Sequence, residues 1–197
     1  MTVTHGSNSL GGGILQEGGS LLLSNCTITG NSAIAGGGIA QSNGTLRVIY
    51  STISTNSAAG TGMGINVQGS ASTTLERCTV DDNTGTGFST SGGGISHNGR
   101  SLVLDTCTFY ANGSPVGDGG GARNISGNAM ITNCTFYANR SFTGGGVAVA
   151  GGTVTIRSTI VAGNTSSVPG TGSAPDCVGP IISGGFNLIG NRTNSTG

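Results

Sequence analysis

The sequence predicts an all-β chain wound as one right-handed parallel β-helix, with six to seven rungs of 25–29 residues and three short strands per rung. Three observations predict it. An eleven-residue segment recurs along the chain, a glycine cluster precedes each copy, and aliphatic residues alternate with others inside each copy.

The recurring segment reads LLLSNCTITGN at 21–31, LRVIYSTISTN at 46–56, TTLERCTVDDN at 73–83, LVLDTCTFYAN at 102–112, AMITNCTFYAN at 129–139 and VTIRSTIVAGN at 154–164. Its closing residue never changes: Asn31, Asn56, Asn83, Asn112, Asn139, Asn164, at spacings of 25, 27, 29, 27 and 25 residues. Insertions collect between this Asn and the next glycine cluster. A solenoid behaves this way, because one corner can lengthen without disturbing the stack.

The strands follow from the columns. After each glycine cluster comes an aliphatic residue: Ile14, Ile39, Ile65, Ile95, Ala122, Val147. A second strand carries Leu21, Leu46, Thr73, Leu102, Ala129, Val154 and, two residues on, Leu23, Val48, Leu75, Leu104, Ile131, Ile156. A third carries Cys26, Ser51, Cys78, Cys107, Cys134, Thr159 and, two residues on, Ile28, Ile53, Val80, Phe109, Phe136, Val161. A period of two puts each pair on one face of a strand. The three-residue step between the pairs marks a corner. The glycines supply positive φ or close approach at the remaining tight corner. Helices are a poor rival, since glycine costs about 1 kcal/mol per helical position.

Residues 1–164 are read as the rungs and 165–197 as a C-terminal loop with a final partial rung. Val3 falls in the Ile28 column, so the chain starts in mid-rung and is expected to be a fragment or processed form of something longer. Seven acids balance seven Arg, and there is no Lys. Phosphate binding needs a basic stripe, so a nucleic-acid partner is not expected. No run of apolar residues is long enough to span a membrane.

GGGI followed by TLxLxxCT[IF]xxN resembles the right-handed β-helix repeats of large bacterial surface and secreted proteins. FYAN at 109–112 and 136–139 is similar to repeats of chlamydial polymorphic outer-membrane proteins. STIVAGN at 158–164, DCVG at 176–179 and GGFNLIGN at 184–191 resemble the end of the β-helix in the bacterial choice-of-anchor group. The resemblance implies an extracellular or cell-surface location and carries no catalytic residues, cofactor or metal with it.

Candidate residues sort as follows. Asn31, Asn56, Asn83, Asn112, Asn139 and Asn164 are read as an internal ladder of stacked amides that bond along the axis and satisfy corner backbone groups. Cys26, Cys78, Cys107 and Cys134 share one inward column and are expected to be buried free thiols, because side chains that run parallel suit a disulfide poorly. Cys177 is read as part of a terminal turn. Nine Asn begin an N-x-[ST] sequon, and Asn43, Asn191 and Asn194 are the expected surface acceptors. Asp81 and Asp82 are the one adjacent carboxylate pair, but the His-flanked glycine and Arg–Lys motifs that accompany such a pair in polygalacturonases are missing, the only histidines being His5 and His97, and no cluster of acids is visible. Thr27, Thr52, Thr79, Thr108 and Thr135 form an outward row. The row beside it passes from Thr29 and Ser54 to Asp81, Tyr110, Tyr137 and Ala162.

The leading expectation is a non-catalytic structural or adhesive module. It would display loops at Thr84–Gly92 and Gly113–Gly119 to surface glycans or proteins. The alternatives are a filament subunit that stacks end to end on its own copies, and a carbohydrate-active or glycan-binding β-helix.

Overall fold

The computed structural model describes residues 1–85, 87, 91–167 and 175–191. It contains strands and no helix among them, and nothing there is a helix long and apolar enough to cross a membrane. The strands stack in parallel into four sheets of seven, seven, eight and seven strands. We number the sheets in the order a rung meets them after its glycine cluster. Sheet 1 begins with Ile14–Gln16, sheet 2 with Ser20–Ser24 and sheet 4 with Ser7–Leu10. Sheet 3 begins with Thr2–Thr4 and ends with Leu188–Ile189.

The register follows the columns read from the sequence. Leu75, Leu104, Ile131 and Ile156 are successive partners on sheet 2, and Val80, Phe109, Phe136 and Val161 on sheet 3. All are buried. Each such side chain contributes about 1.5–3 kcal/mol by leaving water. Phe109 and Phe136 stack with centroids 4.7 Å apart and planes at 9°. The stacking continues past the last full repeat, where Cys177–Val178, Ile181–Ser183 and Leu188–Ile189 pair with the rung before them.

The rung has four strands where the sequence reading counted three. The fourth follows the ladder Asn, as in Ser32–Ala35, Ser57–Ala58 and Arg140–Thr143. Its inward residues are small: Ala33, Ala58, Ser114, Ser141. Backbone pairing there proceeds without the aliphatic alternation that reveals a strand. The predicted loop Gly113–Gly119 is largely one of these strands, Gly113–Asp118, which pairs with Arg140–Thr143 and shifts register between Ser114 and Asp118.

Two corners turn on left-handed residues that are mostly not glycine. Asn25, Tyr50, Arg77, Thr106, Asn133 and Ser158 lead into sheet 3, and Thr55, Asp82, Ala111 and Ala138 lead out of it, all with φ of 49–57°. Each costs about 1–3 kcal/mol in strain. Hydrogen bonds to the next rung hold them, as Tyr50 N–H to Glu76 O and Asp82 N–H to Tyr110 O, both at 3.1 Å. The glycine cluster turns the corner into sheet 1. At Gly38 a Cβ would sit 2.7 Å from Gly64 O and 3.0 Å from Asn56 Nδ2, so only glycine fits against the next rung and the Asn column.

Candidate functional site

The six ladder asparagines stack in the interior, each at most 5% exposed. Asn56 shows the unit. Its Nδ2 donates to Ile28 O at 2.9 Å and to Asn83 Oδ1 at 3.0 Å, and its own N–H also donates to Asn83 Oδ1 at 3.0 Å. Asn83, Asn112 and Asn139 repeat the pattern, and at the start Asn31 Oδ1 accepts from Gly6 N–H at 2.9 Å. The far end was not foreseen. Asp176, 3% exposed, accepts through Oδ1 from both Asn164 N–H and Nδ2 at 2.9 Å, and through Oδ2 from Asn191 N–H at 2.6 Å. Cys177 pairs with Val147, so Asp176 occupies the last position of a glycine cluster. A side chain at that position enters the Asn column. A carboxylate, which only accepts, suits the terminus of a chain of donors.

The five cysteines are buried and stand outside any disulfide, Cys177 included. Cys78, Cys107 and Cys134 follow one another on the entry corner of sheet 3. Each thiol donates to the carbonyl two residues back, at 3.1–3.3 Å. Ser51 and Thr159 do the same through hydroxyls at 2.8 and 2.9 Å, and they accept the N–H of Cys26 and Cys134. Contact with its neighbour Cys134, together with burial, pushes the Cys107 thiol up to about 12. Contact with Cys107 and burial raise Cys78 as well. Neither is a ready nucleophile.

A second interior polar column escaped the sequence reading. On sheet 1 the stacked positions are Gln16, Gln41, Val67, His97, Asn124 and Val149, all buried. Gln41 Nε2 donates to Gly44 O at 3.1 Å, and its Oε1 accepts from Thr73 Oγ1 at 2.5 Å. That pairing accounts for a threonine in the leucine column. His97 Nδ1 lies 2.6 Å from Asn124 Oδ1, which makes Nδ1 the protonated nitrogen, and leaves the buried Nε2 without a partner. Burial lowers the basicity of His97 below that of an ordinary histidine.

Of the expected glycan acceptors, Asn43 and Asn191 are exposed, and Asn194 lies outside the described residues. Asn25 and Asn133 are exposed on left-handed corners. The sequons at Asn112, Asn124, Asn139 and Asn164 have their amides buried and bonded.

The acids are dispersed. Glu76 forms an ion pair with Arg47, and Asp118 takes a hydrogen bond from Thr143 Oγ1. Asp105 accepts from Asn133 Nδ2. No group of three or more His, Cys, Asp or Glu able to hold a metal ion occurs among the described residues.

Two surface features flank the corner between sheets 3 and 4. Asp81, Tyr110 and Tyr137 are successive outward partners on sheet 3. Asp81 Oδ1 is buried and has no hydrogen-bond partner, and burial followed by the neighbouring Asp82 raises its carboxyl above the usual range. The two tyrosines are 44% and 54% exposed and stack, with centroids 6.0 Å apart and planes at 20°. On sheet 4, Thr84, Gly113 and Arg140 are successive partners. Gly113 has no side chain between its neighbours, and a hollow of about 270 Å³ opens there, lined by Thr84, Gly85, Gly113 and Arg140. Val116 and Phe142 are exposed on the irregular strand pair beside it. The predicted display segment Thr84–Gly92 belongs to the same levels, but residues 86 and 88–90 lie outside the described residues.

A family model described as "Right handed beta helix region" matches the chain over residues 2–125 and again over 61–196. No curated protein and no solved structure matches it.

Proposed function

The chain belongs to the right-handed β-helix family, and from that premise we propose that it is a non-catalytic structural or adhesive module of an extracellular or cell-surface bacterial protein. One observation carries the reading. The interior is filled from end to end by aliphatic columns and hydrogen-bonded ladders, so the fold presents its chemistry only on outer faces. Those faces hold a stacked tyrosine pair, an under-solvated carboxylate and a hollow, while Glu76 and Asp118 are held in ion pairs and Asp176 in the ladder. The GGGI and FxxN motifs resemble surface and secreted repeats and support the same setting. An enzyme of this shape would need converging acid and base groups. Among the described residues the one close pair of acids is Asp81 and Asp82.

The experiment has two arms. Producing cells are treated with external protease, and the chain is followed by antibody; loss of the signal from intact cells is expected. Beads coated with the purified chain are then measured for attachment to cell-wall material, against beads coated with a heat-denatured sample. A chain protected until lysis, or coated beads that attach no better than the denatured control, would overturn the reading.

A further inference from the structure

We propose that the corner between sheets 3 and 4, at the levels of Asp81, Tyr110 and Tyr137, is a binding site for a neutral, hydroxyl-rich glycan lying along the solenoid axis. This inference rests on the adhesive reading and names its ligand class.

The tyrosines are placed before any ligand arrives. Tyr137 is stacked on Tyr110 on one side. On the other its ring lies over Gly163, where a Cβ would be 2.6 Å from Cε2. Rings held this way lose little freedom on binding, and they offer apolar area with a hydroxyl at the tip. A pyranose has apolar C–H faces bounded by hydroxyls and needs that combination. The polar groups around the rings complement hydroxyls on both counts. The Asp81 side chain is half-buried and supplies a carboxylate acceptor. Arg140 donates, and its guanidinium makes no ion pair among the described residues. Outward Thr79 and Thr108 add hydroxyls in register with the rungs, at a repeat of about 4.8 Å. The hollow over Gly113 gives a protruding substituent somewhere to go.

Charge selects against the alternatives. Asp81 and Asp82 bring two acids to this corner against the one base of Arg140, so a polyuronate or a nucleic-acid backbone meets net repulsion. A peptide strand has no open sheet edge to extend here, because sheets 3 and 4 continue in both directions.

The test is native affinity electrophoresis at a pH well above the isoelectric point of about 6.7, where the chain migrates as an anion. The gels contain mixed-linkage β-glucan, xyloglucan or galactomannan, with polygalacturonate as the charged comparator. The native chain should be retarded by at least one neutral polymer and not by polygalacturonate. The double variant Tyr110→Ala/Tyr137→Ala should bind roughly tenfold more weakly or worse. Gly113→Val, which fills the hollow at a position where only Thr84 Cγ2 comes within 4 Å of a Cβ, should also weaken retardation. Tyr50→Ala, at another corner, should leave it unchanged. Circular dichroism checks that each variant is folded. No retardation by any neutral polymer, retardation by polygalacturonate alone, or retardation unchanged in both the double variant and Gly113→Val would overturn the proposal. The two readings fail separately: coated beads that attach to cell-wall material while every neutral gel is silent sink the glycan site and leave adhesion standing.

Discussion

The corners at the two ends of each sheet 3 strand pose the same problem and solve it with different residues. Both turn on a left-handed residue, and both place a polar side chain inward immediately after it. At the exit that side chain is Asn from Asn31 to Asn164, and in the first rung the position belongs to Gly6, which donates its N–H to Asn31 Oδ1. At the entry it is Cys, Ser or Thr, and in the last rung Asn187, whose Oδ1 accepts from Thr159 N–H at 3.0 Å. The number of bonds explains the contrast. A Cys, Ser or Thr at the entry has one proton, which it gives to the carbonyl two residues back, as Ser51 does while accepting from Cys26 of the preceding rung. A thiol or a hydroxyl can do this. An exit residue donates twice and accepts twice, linking three levels of backbone and side chain. Only a primary amide has that inventory at that length.

The comparison breaks most visibly in the middle of the Asn column. Asn112→Leu keeps the volume and removes the amide. Asn83 N–H and Nδ2 lose their acceptor, and Val80 O and Asn139 Oδ1 lose a donor, all in the interior. At about 1–3 kcal/mol for each orphaned buried group, partly relieved by relaxation, the loss should be about 3–5 kcal/mol. Equilibrium unfolding in urea measures it. A loss under about 1 kcal/mol would mean that the ladder merely fills space.

The sheet 1 polar column sharpens the point through pH. Its residue type changes from rung to rung, and it leaves Gln16 Oε1 and His97 Nε2 without partners. His97 is depressed chiefly by burial, so its folded-state pKa lies below the unfolded value near 6.5. The stabilisation from keeping it neutral is therefore full above the unfolded pKa. It is lost as pH falls through that value toward the folded one. The melting temperature should drop between neutral pH and about pH 5, and His97→Val should remove most of that dependence. Val67 and Val149 already occupy the same column. A pH profile identical in the variant would place the titrating group elsewhere.

These contrasts also decide what could be read in advance. Ile28, Ile53 and Val80 announce sheet 3 because a column of one chemistry repeats at a fixed interval. The Asn column does so more strongly, since its bond pattern tolerates no substitute. Sheet 4 was missed because Ala33, Ala58 and Ser114 are too small to signal a strand. Gln41, Thr73, His97 and Asn124 were missed because the residues that satisfy that corner keep changing. Asp176 closes the ladder only 12 residues after Asn164, from a glycine position instead of the next corner. The register of Cys177 with Val147 is the signal that would have found it. The tyrosine pair was visible as a departure from the Thr/Ser row. The hollow at Gly113, across the corner from it, needed the fourth strand.

The smallest expected effect tests the entry corner directly. Cys107→Ser exchanges a thiol for a hydroxyl that makes the same bonds, as Ser51 does two levels away with Ile49 O and Cys26 N–H. The shorter C–O bond loses some contact with Cys78 and Cys134, while the hydroxyl donates more strongly to Asp105 O than the thiol now does at 3.2 Å. The two changes oppose each other, and the net should lie within about 1 kcal/mol of the native chain. Urea unfolding of Cys107→Ser beside Asn112→Leu makes the comparison in one experiment. A serine variant as damaged as the leucine one would show that the thiols are bound to one another by something beyond packing and single hydrogen bonds. The bond-count account of why one corner varies and the other does not would then fail.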